Sequence, residues 1–458
     1  MNSLLKRSAR IVIFACAGLA LFISGAQAKN TSKPPVAKYT LDELQNANPS
    51  PTPEVVMPQT QGGPVVIYRE DTGELEVAQY TLDELQNVEP LPLPEVVMPQ
   101  GAAVIPQSQM LPADALPGYA PAWDPQSGLP QPDPRVTYTI AEDNPPDQLA
   151  TGGFELQTFG LAPTNPLSGP YAPFQRWTYY GSYAAQDTQV IGRLFFDTNA
   201  NGIRDSSCSA SVIGLRTLVT AAHCIHSGGS GGSFYSMWLF CPSYYKAGGS
   251  GGPYPGRGCW GWSSATVSLA WVSTVGGAAD RDYACIVTSL TGDTVADKIG
   301  NVTGWVGRAW NWASEQLMFS WGYPAGAPFP GYNVIVAASP EWYEVDMTIG
   351  DGQVSKYMGN DMTGGSSGGP WWMSISHRTA EFNDTDGLNT DPPGSATLPG
   401  GPYVNGVNSH KRCAGSCFTP PTASAGTFWQ EMGSPQFRNT VGDTDESEDV
   451  FATCYGNE

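Results

Sequence analysis

Residues 363–370 read Thr-Gly-Gly-Ser-Ser-Gly-Gly-Pro, and residues 218–224 read Leu-Val-Thr-Ala-Ala-His-Cys. The first stretch sets two adjacent serines, Ser366 and Ser367, among glycines. A loop of that composition folds tightly enough to aim the backbone N–H groups of Gly365 and Ser367 into one small cavity, where they can stabilise the oxyanion of a tetrahedral intermediate. The second stretch is an apolar strand that ends in small residues and then presents His223. Between the two, Asp280-Arg281-Asp282-Tyr283-Ala284 puts an acid directly before another strand. A serine hydroxyl is almost wholly protonated at neutral pH, so nucleophilic catalysis needs a base within hydrogen-bond reach and an acid to orient that base. His223, Asp282 and Ser367 supply one of each, in that chain order. Cys208 precedes Cys224 by 16 residues. An intervening hairpin can bring the two together, and a disulfide there would pin the loop that carries His223.

Around these segments, from Phe154 onward, the chain is rich in Gly, Trp and Tyr with short β-branched runs. Strands are expected at 190–196, 210–213, 217–220, 266–272, 284–287, 318–321, 334–337 and 403–408, with Gly, Pro and Asn between them. Weak helical periods run over 309–319 and 427–432. Many short strands with glycine-rich turns predict an all-β sandwich or a pair of barrels over residues 176–458.

The N-terminal third differs. Lys6, Arg7 and Arg10 precede an apolar run from Ile11 to Ile23 and then Ala26-Gln27-Ala28, the pattern of a secretory signal peptide over residues 1–28. The run is too short to span a bilayer, so no membrane association is expected after its removal. Eight of the nine cysteines lie beyond it, and an even number in an exported chain points to disulfides. The formal charge of −20 argues against nucleic acid as a partner, which demands concentrated Lys and Arg. Residues 29–150 are dominated by Pro, Gln and acids, and are expected to be disordered. Within them VAKYTLDELQNANPSPTPEVVMPQ (36–59) recurs as VAQYTLDELQNVEPLPLPEVVMPQ (77–100). Each copy has one helix-like phrase ended by prolines, which reads as a docking motif on a polyproline-type tether or as a duplicated linker. Residues 151–175 are a linker to the strand-rich part.

TAAHC, Asp-Tyr-Ala and Gly-Ser-Ser-Gly-Gly-Pro in this order resemble the chymotrypsin-fold serine proteases. Ile191-Gly192-Arg193-Leu194-Phe195-Phe196, Cys208-Ser209-Ala210-Ser211-Val212 and Gly322-Tyr323-Pro324 look most like the bacterial V8-type or glutamyl-endopeptidase branch. The resemblance covers roughly residues 176–412. It implies two six-stranded antiparallel β-barrels with a cleft between them, His223 as general base, Asp282 as its orienting acid and Ser367 as nucleophile. A secreted endopeptidase made as a zymogen and acting on proteins or peptides, with no required cofactor, follows from the likeness. Ser366 stands where the family usually has an acid or amide, and there is no Ile-Val-Gly-Gly start, so activation by a buried N-terminal ion pair is not expected. Maturation by cleavage between about 150 and 182 is expected, with Arg176-Trp177 one candidate bond. Asp361 occupies the position that bears the pocket carboxylate of trypsin-like relatives, which favours Arg or Lys before the scissile bond. In relatives that cleave after Glu a histidine stands where this chain has Asn408; His410 lies two residues on, and Asn408, Ser409 and His410 join Asp361 as substrate-binding candidates.

Three other readings compete. Gly365-Ser366-Ser367-Gly368-Gly369 also fits the nucleophile elbow of α/β-hydrolases, with Asp384 or Asp386 and His410 as partners, but Pro370-Trp371-Trp372 is a poor helix start. A binding protein on an inactive protease scaffold is the second. The third concerns metals. His223-Cys224-Ile225-His226 suits zinc poorly in an oxidising compartment. Asp197, Asn199, Asn201 and Asp205 place oxygens at alternate positions of a structural calcium loop, against which stands a plain Asn/Gly/Asp turn.

Overall fold

In the computed structural model, the residues described are 65–69, 80–96, 104–105, 118–126, 130–139, 174–179, 183, 186–247, 250–274, 278–311, 317–345, 353–373, 402–412, 431–440, 443 and 445–458. The signal segment, the first motif copy, Asp384, Asp386, Cys413 and Cys417 lie outside them.

Strands β7 (Ile191–Asp197), β8 (Ser206–Val212), β9 (Thr217–Thr220), β10 (Ser236–Pro242), β13 (Trp260–Ser268) and β14 (Ala284–Gly292) form a closed antiparallel barrel. Pairing runs β13-β10-β7-β8-β9-β14, and β14 returns to β13, so no strand of the six is left with a bare edge. β11 (Tyr245–Ala247) and β12 (Ser250–Gly252) make a separate hairpin. Every residue of β7 is buried. Its Phe195 and Phe196, fully covered, contribute on the order of 2 kcal/mol each. Gly192 is required where β7 crosses β10, because a Cβ there would sit 2.5 Å from both the Cys241 carbonyl oxygen and the Phe240 ring.

A second, twelve-stranded sheet contains β15 (Gly307–Trp310), β16 (Leu317–Gly322), β17 (Ile335–Val345), β18 (Ser355–Gly359), β19 (Pro370–Met373), β20 (Tyr403–Val407), β21 (His410–Arg412) and β22 (Glu431–Pro435). The expected pair of barrels is therefore met by one closed barrel and this second sheet. The C-terminal helix Ser447–Tyr455 is tied to the barrel by the disulfide Cys285–Cys454. Two further disulfides join Cys208 to Cys224 and Cys241 to Cys259.

Two local readings need correction. The strand expected over 266–272 stops at Ser268, whose hydroxyl accepts from the N–H groups of Ala270 and Trp271 and so caps the short helix Leu269–Ser273. Of the helical period expected over 309–319, Ala309 and Trp310 lie in β15 and residues 317–319 in β16, where pairing with neighbouring strands overrides a weak local preference, while 312–316 lie outside the described residues; of that over 427–432, Glu431 and Met432 lie in β22 and the rest outside the described residues.

The N-terminal third also departs from expectation. Far from being disordered throughout, it supplies β1 (Val65–Arg69), α1 (Leu82–Asn87), β2 (Glu89–Pro90), β3 (Val104–Ile105), β4 (Gly118–Ala120) and β5 (Tyr138–Thr139). β1 pairs with β13, β2 runs parallel to β8, β3 pairs with β17 and β4 with β15. Composition misjudges this segment because the edges of preformed sheets satisfy backbone groups that the segment cannot satisfy alone. β6 (Gln175–Thr178) pairs with β17 through both Arg176 and Trp177, so the bond between them lies inside a paired strand and is a poor maturation site. Among the described residues no helix is long and apolar enough to cross a membrane.

Candidate active site

β9 ends at Thr220 and the chain turns into the 3-10 segment Ala222–Cys224, which carries His223. Three restraints hold this turn: the Cys208–Cys224 disulfide, the Trp238 indole N–H on the Cys224 carbonyl at 3.1 Å, and the Trp271 indole N–H on the His226 carbonyl at 3.0 Å. Asp282 follows the 3-10 turn Ala279–Arg281 and precedes β14, which pairs with β9; that pairing brings Asp282 beside His223.

The Asp282 carboxylate takes three hydrogen bonds. Its Oδ1 accepts the backbone N–H of His223 at 2.8 Å, and its Oδ2 accepts His223 Nδ1 at 2.7 Å and the Ser409 hydroxyl at 2.5 Å. Burial alone would raise its pKa, but the charge of His223 and these donors outweigh burial and hold it below the usual carboxylate value. An ionised carboxylate only accepts, so Nδ1 of His223 carries a proton, and in the neutral ring the unprotonated nitrogen is then Nε2, the tautomer a general base requires.

Ser367 stands in the turn between β18 and β19. Gly365 and Gly368 have φ of +90° and +76°, and a Cβ on Gly368 would lie 1.9 Å from Thr220 Oγ1 and 2.8 Å from the Ala221 nitrogen. That proximity places the serine turn against the end of β9, three residues before His223. Ser209 of β8 is the anchor. Its N–H donates to the Ser367 carbonyl at 2.7 Å, its hydroxyl to the Gly365 carbonyl at 2.9 Å, and the same hydroxyl accepts Tyr323 N–H at 2.9 Å. Ser367 Oγ and His223 Nε2 are both buried, and neither makes a hydrogen bond. Nucleophile–base bonds often tighten only when substrate is bound.

Ser366 has a local role of its own. Its hydroxyl donates to the Thr363 carbonyl at 2.8 Å and its N–H to the same oxygen at 3.1 Å, closing the turn without an ion pair.

The substrate-binding candidates separate. Asn408 is fully buried, with Nδ2 donating to Trp321 and Ser366 carbonyls at 3.0 and 3.1 Å and Oδ1 accepting from Ser320 Oγ and Trp371 Nε1 at 2.6 and 2.8 Å. With every polar atom used, it braces the serine turn and has nothing left for substrate. Ser409 is committed to Asp282. Because Ser409 donates there, its oxygen accepts from His410 Nδ1 at 2.8 Å, and His410 Nε2 then accepts the Tyr357 hydroxyl at 2.8 Å. This neutral His410 is pushed down to about 4, first by burial and then by His223, with Asp282 opposing. In this structure both ring nitrogens of His410 are engaged within the protein, by Ser409 and Tyr357. Asp361 is different: its side chain keeps 12% exposure and pairs with Arg176 Nη1 at 3.0 Å, while burial raises its pKa against the pull of Arg176.

His410 makes a stability prediction. Its folded pKa lies below the ordinary 6.5, so the unfolded state binds the extra proton between about pH 4 and 6.5 and stability rises with pH across that window. Acidification from 6.5 to 4 should remove about 3 kcal/mol through this group. Glu448, raised to about 7 chiefly by burial, has the opposite slope from 4.5 to 7, so the comparison must be between variants. His410→Gln should lose the His410 part, read from denaturant midpoints at pH 4.5, 5.5 and 7. Equal pH slopes in variant and parent would discard this assignment.

The calcium candidates form the β7–β8 turn. Asp197 accepts N–H groups of Asn199 and Gly202, Asn201 accepts from Ile203, and Asp205 accepts from Thr198 and Asn199. These contacts are those of an Asn/Gly/Asp turn. The Cys208, His223 and Cys224 cluster is no metal site, because its sulfurs are bonded to each other. The hydrolase alternative fails on local structure: strand β19, not a helix, follows Ser367, and His410 is occupied by Ser409 and Tyr357.

Ser209, Trp238, Trp271 and Tyr357 were missed by sequence reasoning. Only Ser209 had a signal, since Cys208-Ser209-Ala210 neighbours the expected disulfide.

No family model and no curated protein matches the chain. Solved structures do. A thermostable serine protease, AL20, from an extremophilic microorganism is 25% identical, with TM-score 0.39, over 55% of this chain and 93% of that one. The protease Anisep from Arthrobacter nicotinovorans is 22% identical, with TM-score 0.41, over 59% and 96%. A Glu endopeptidase is 16% identical, with TM-score 0.37, over 63% and 98%. The three are described as a serine protease, a protease and a Glu endopeptidase. Independently of them, the closed six-stranded antiparallel barrel agrees with the fold expected from the sequence.

Proposed function

We propose that the chain is an exported serine endopeptidase that hydrolyses peptide bonds of protein or peptide substrates through His223, Asp282 and Ser367. The observation that carries this reading is the buried Asp282 carboxylate, held by three donors, which takes the Nδ1 proton of His223 and so selects the neutral tautomer whose Nε2 can accept a proton. Ser367 Oγ attacks the scissile carbonyl while His223 Nε2 takes its proton. The oxyanion rests on the N–H groups of Gly365 and Ser367. Collapse expels the amine, protonated by His223, and leaves an acyl-Ser367 ester that a water activated by His223 then hydrolyses. No cofactor enters these steps; calcium at Asp197, Asn199, Asn201 and Asp205 would serve only to stiffen the β7–β8 turn.

Residues 1–28 direct export, 29–150 and the linker 151–175 form the precursor part, and 176–458 the protease part. The test is prolonged treatment of the folded protein with a fluorophosphonate, with the labelled residue mapped by mass spectrometry and cleavage profiled on a peptide library. Labelling at Ser366, or none even in the cleft-opening variant described below, would sink the reading.

A basic preference before the scissile bond rests on Asp361. Arg176 already compensates that carboxylate, so a substrate Arg or Lys must compete with it. Arg176→Gln should raise kcat/KM for Arg and Lys peptides roughly tenfold relative to the Gln peptide. An unchanged ratio would take Asp361 out of substrate recognition.

A further inference from the structure

The second motif copy lies across the serine turn. Its helix α1 carries a capping box between Thr81 and Glu84 and docks on the barrel: Leu85 is fully buried, Glu84 pairs with the buried Arg204 at 3.0 Å, and Gln86 donates to the Gly251 carbonyl at 2.9 Å. Beyond it the chain reads Val88-Glu89-Pro90-Leu91-Pro92-Leu93-Pro94-Glu95-Val96. Glu89 and Pro90 run parallel to Ser206 and Ser207 of β8, and Leu91 N–H donates to the Ser207 carbonyl at 3.0 Å. The Leu91 carbonyl then accepts the N–H of Gly365 at 3.0 Å, the very donor assigned above to the oxyanion. A Cβ on Gly364 would lie 2.7 Å from that carbonyl oxygen. Leu93, 4% exposed, packs in a cluster with Met358, Met362 and Met432. Finally Lys411 N–H donates to the Pro94 carbonyl at 3.0 Å, Val96 N–H to the Lys411 carbonyl at 3.3 Å, and Lys411 Nζ meets Glu95 at 3.3 Å. Ser367 is fully buried.

We propose that the groove over Ser367 is a docking surface for a proline-alternating, leucine-bearing extended peptide, and that residues 88–96 are its resident occupant, a built-in inhibitor of the active site. This rests on the protease reading. The chemistry of the segment suits the role. Alternating prolines pre-set the extended backbone, so little conformational freedom is lost on docking. The bond that follows the Leu91 carbonyl joins it to Pro92, and the proline ring carbon occupies a substituent position on the nitrogen that His223 would have to protonate. The site is thus offered a carbonyl on a peptide bond poorly suited to cleavage.

The duplication sharpens the assignment. The two copies differ at five positions, and four of the five, Val88, Glu89, Leu91 and Leu93 against Ala47, Asn48, Ser50 and Thr52, fall in the stretch that crosses the groove. The helix phrase is the same in both. The first copy has the same helix phrase in sequence but polar residues in place of both leucines, so it should fill the groove more weakly by roughly 10- to 100-fold.

The full chain and a Leu91→Ser, Leu93→Thr variant, which rewrites the second copy as the first at these two positions, are compared for the rate of fluorophosphonate labelling at Ser367. The variant is expected to label at least about tenfold faster. Leu93→Ala serves if the double variant fails to fold. A synthetic peptide of residues 80–96 should slow labelling of the variant, and one of residues 39–55 should need at least about tenfold higher concentration. Equal labelling of parent and variant at Ser367 overturns the inhibitor while leaving the protease reading intact, and so do faster labelling without inhibition by the 80–96 peptide or equal potency of the two peptides. No labelling in any folded form overturns the protease reading and the inhibitor with it.

Discussion

Ser367→Ala, made in the Leu91→Ser, Leu93→Thr background so that the groove is open, is expected to lower the rate of peptide hydrolysis by about six orders of magnitude. The size follows from the absence of a substitute: Ser366 Oγ is already spent on the Thr363 carbonyl and is held within the turn. The fold should be indifferent to the change. Ser367 supports its turn through its carbonyl, which accepts Ser209 N–H, whereas its hydroxyl makes no hydrogen bond. Removal of that oxygen therefore leaves backbone contacts intact, and the melting temperature should stay close to the parent value. Initial rates on the best library peptide and thermal melts in the same buffer decide the matter. A Ser367→Ala protein that still cleaves at the parent rate would exclude Ser367 as nucleophile, and a large loss of stability would assign the serine to structure.

Asp282→Asn should cost about four orders of magnitude in kcat. The hydrogen-bond set dictates why. The backbone N–H of His223 points at Oδ1 and demands an acceptor, which forces the amide oxygen to that side and the NH2 group toward His223 Nδ1. The ring would then have to accept at Nδ1 and carry its proton on Nε2, the wrong tautomer for taking a proton from Ser367. The same NH2 would face the Ser409 hydroxyl, which now donates to Oδ2 and would have to turn around. Because the tautomer and not the binding groove is damaged, kcat should fall with KM little changed. A fall confined to KM would remove Asp282 from the role of orienting acid.

Legibility of the site tracked how local its chemistry is. His223, Asp282 and Ser367 could be singled out as candidates because each sits in a short segment of distinctive composition: small residues before a histidine, an acid before a strand, a serine among glycines. The Cys208–Cys224 bridge was readable for a similar reason, since a hairpin spans its separation. The partners of Asn408, Ser409 and His410, named from the sequence as substrate-binding candidates, were not legible because their polar atoms meet groups far along the chain, at Asp282, Trp321, Tyr357 and Ser366. Ser268 was readable in principle as a helix cap, yet the apolar run after it looked like continued strand.

Sequence by itself determined that the chain is strand-rich, that Cys208 and Cys224 can pair, and that a histidine, an acid and a serine candidate follow one another in order, because residue type and local spacing suffice for those statements. It also exposed the duplication of residues 36–59 and 77–100. Tertiary structure alone decided what closes the barrel, which carbonyl holds Ser366, and that Asp361 is already matched by Arg176. It also decided that a proline-rich stretch with no core of its own lies against Gly364 and Gly365 of the serine turn. The physical reason is common to all of these: a backbone N–H such as that of Gly365 carries no sequence signature of the partner it will find, and Leu91, 274 residues away in the chain, becomes that partner only once the two sheets have put the serine turn and the edge of β8 side by side.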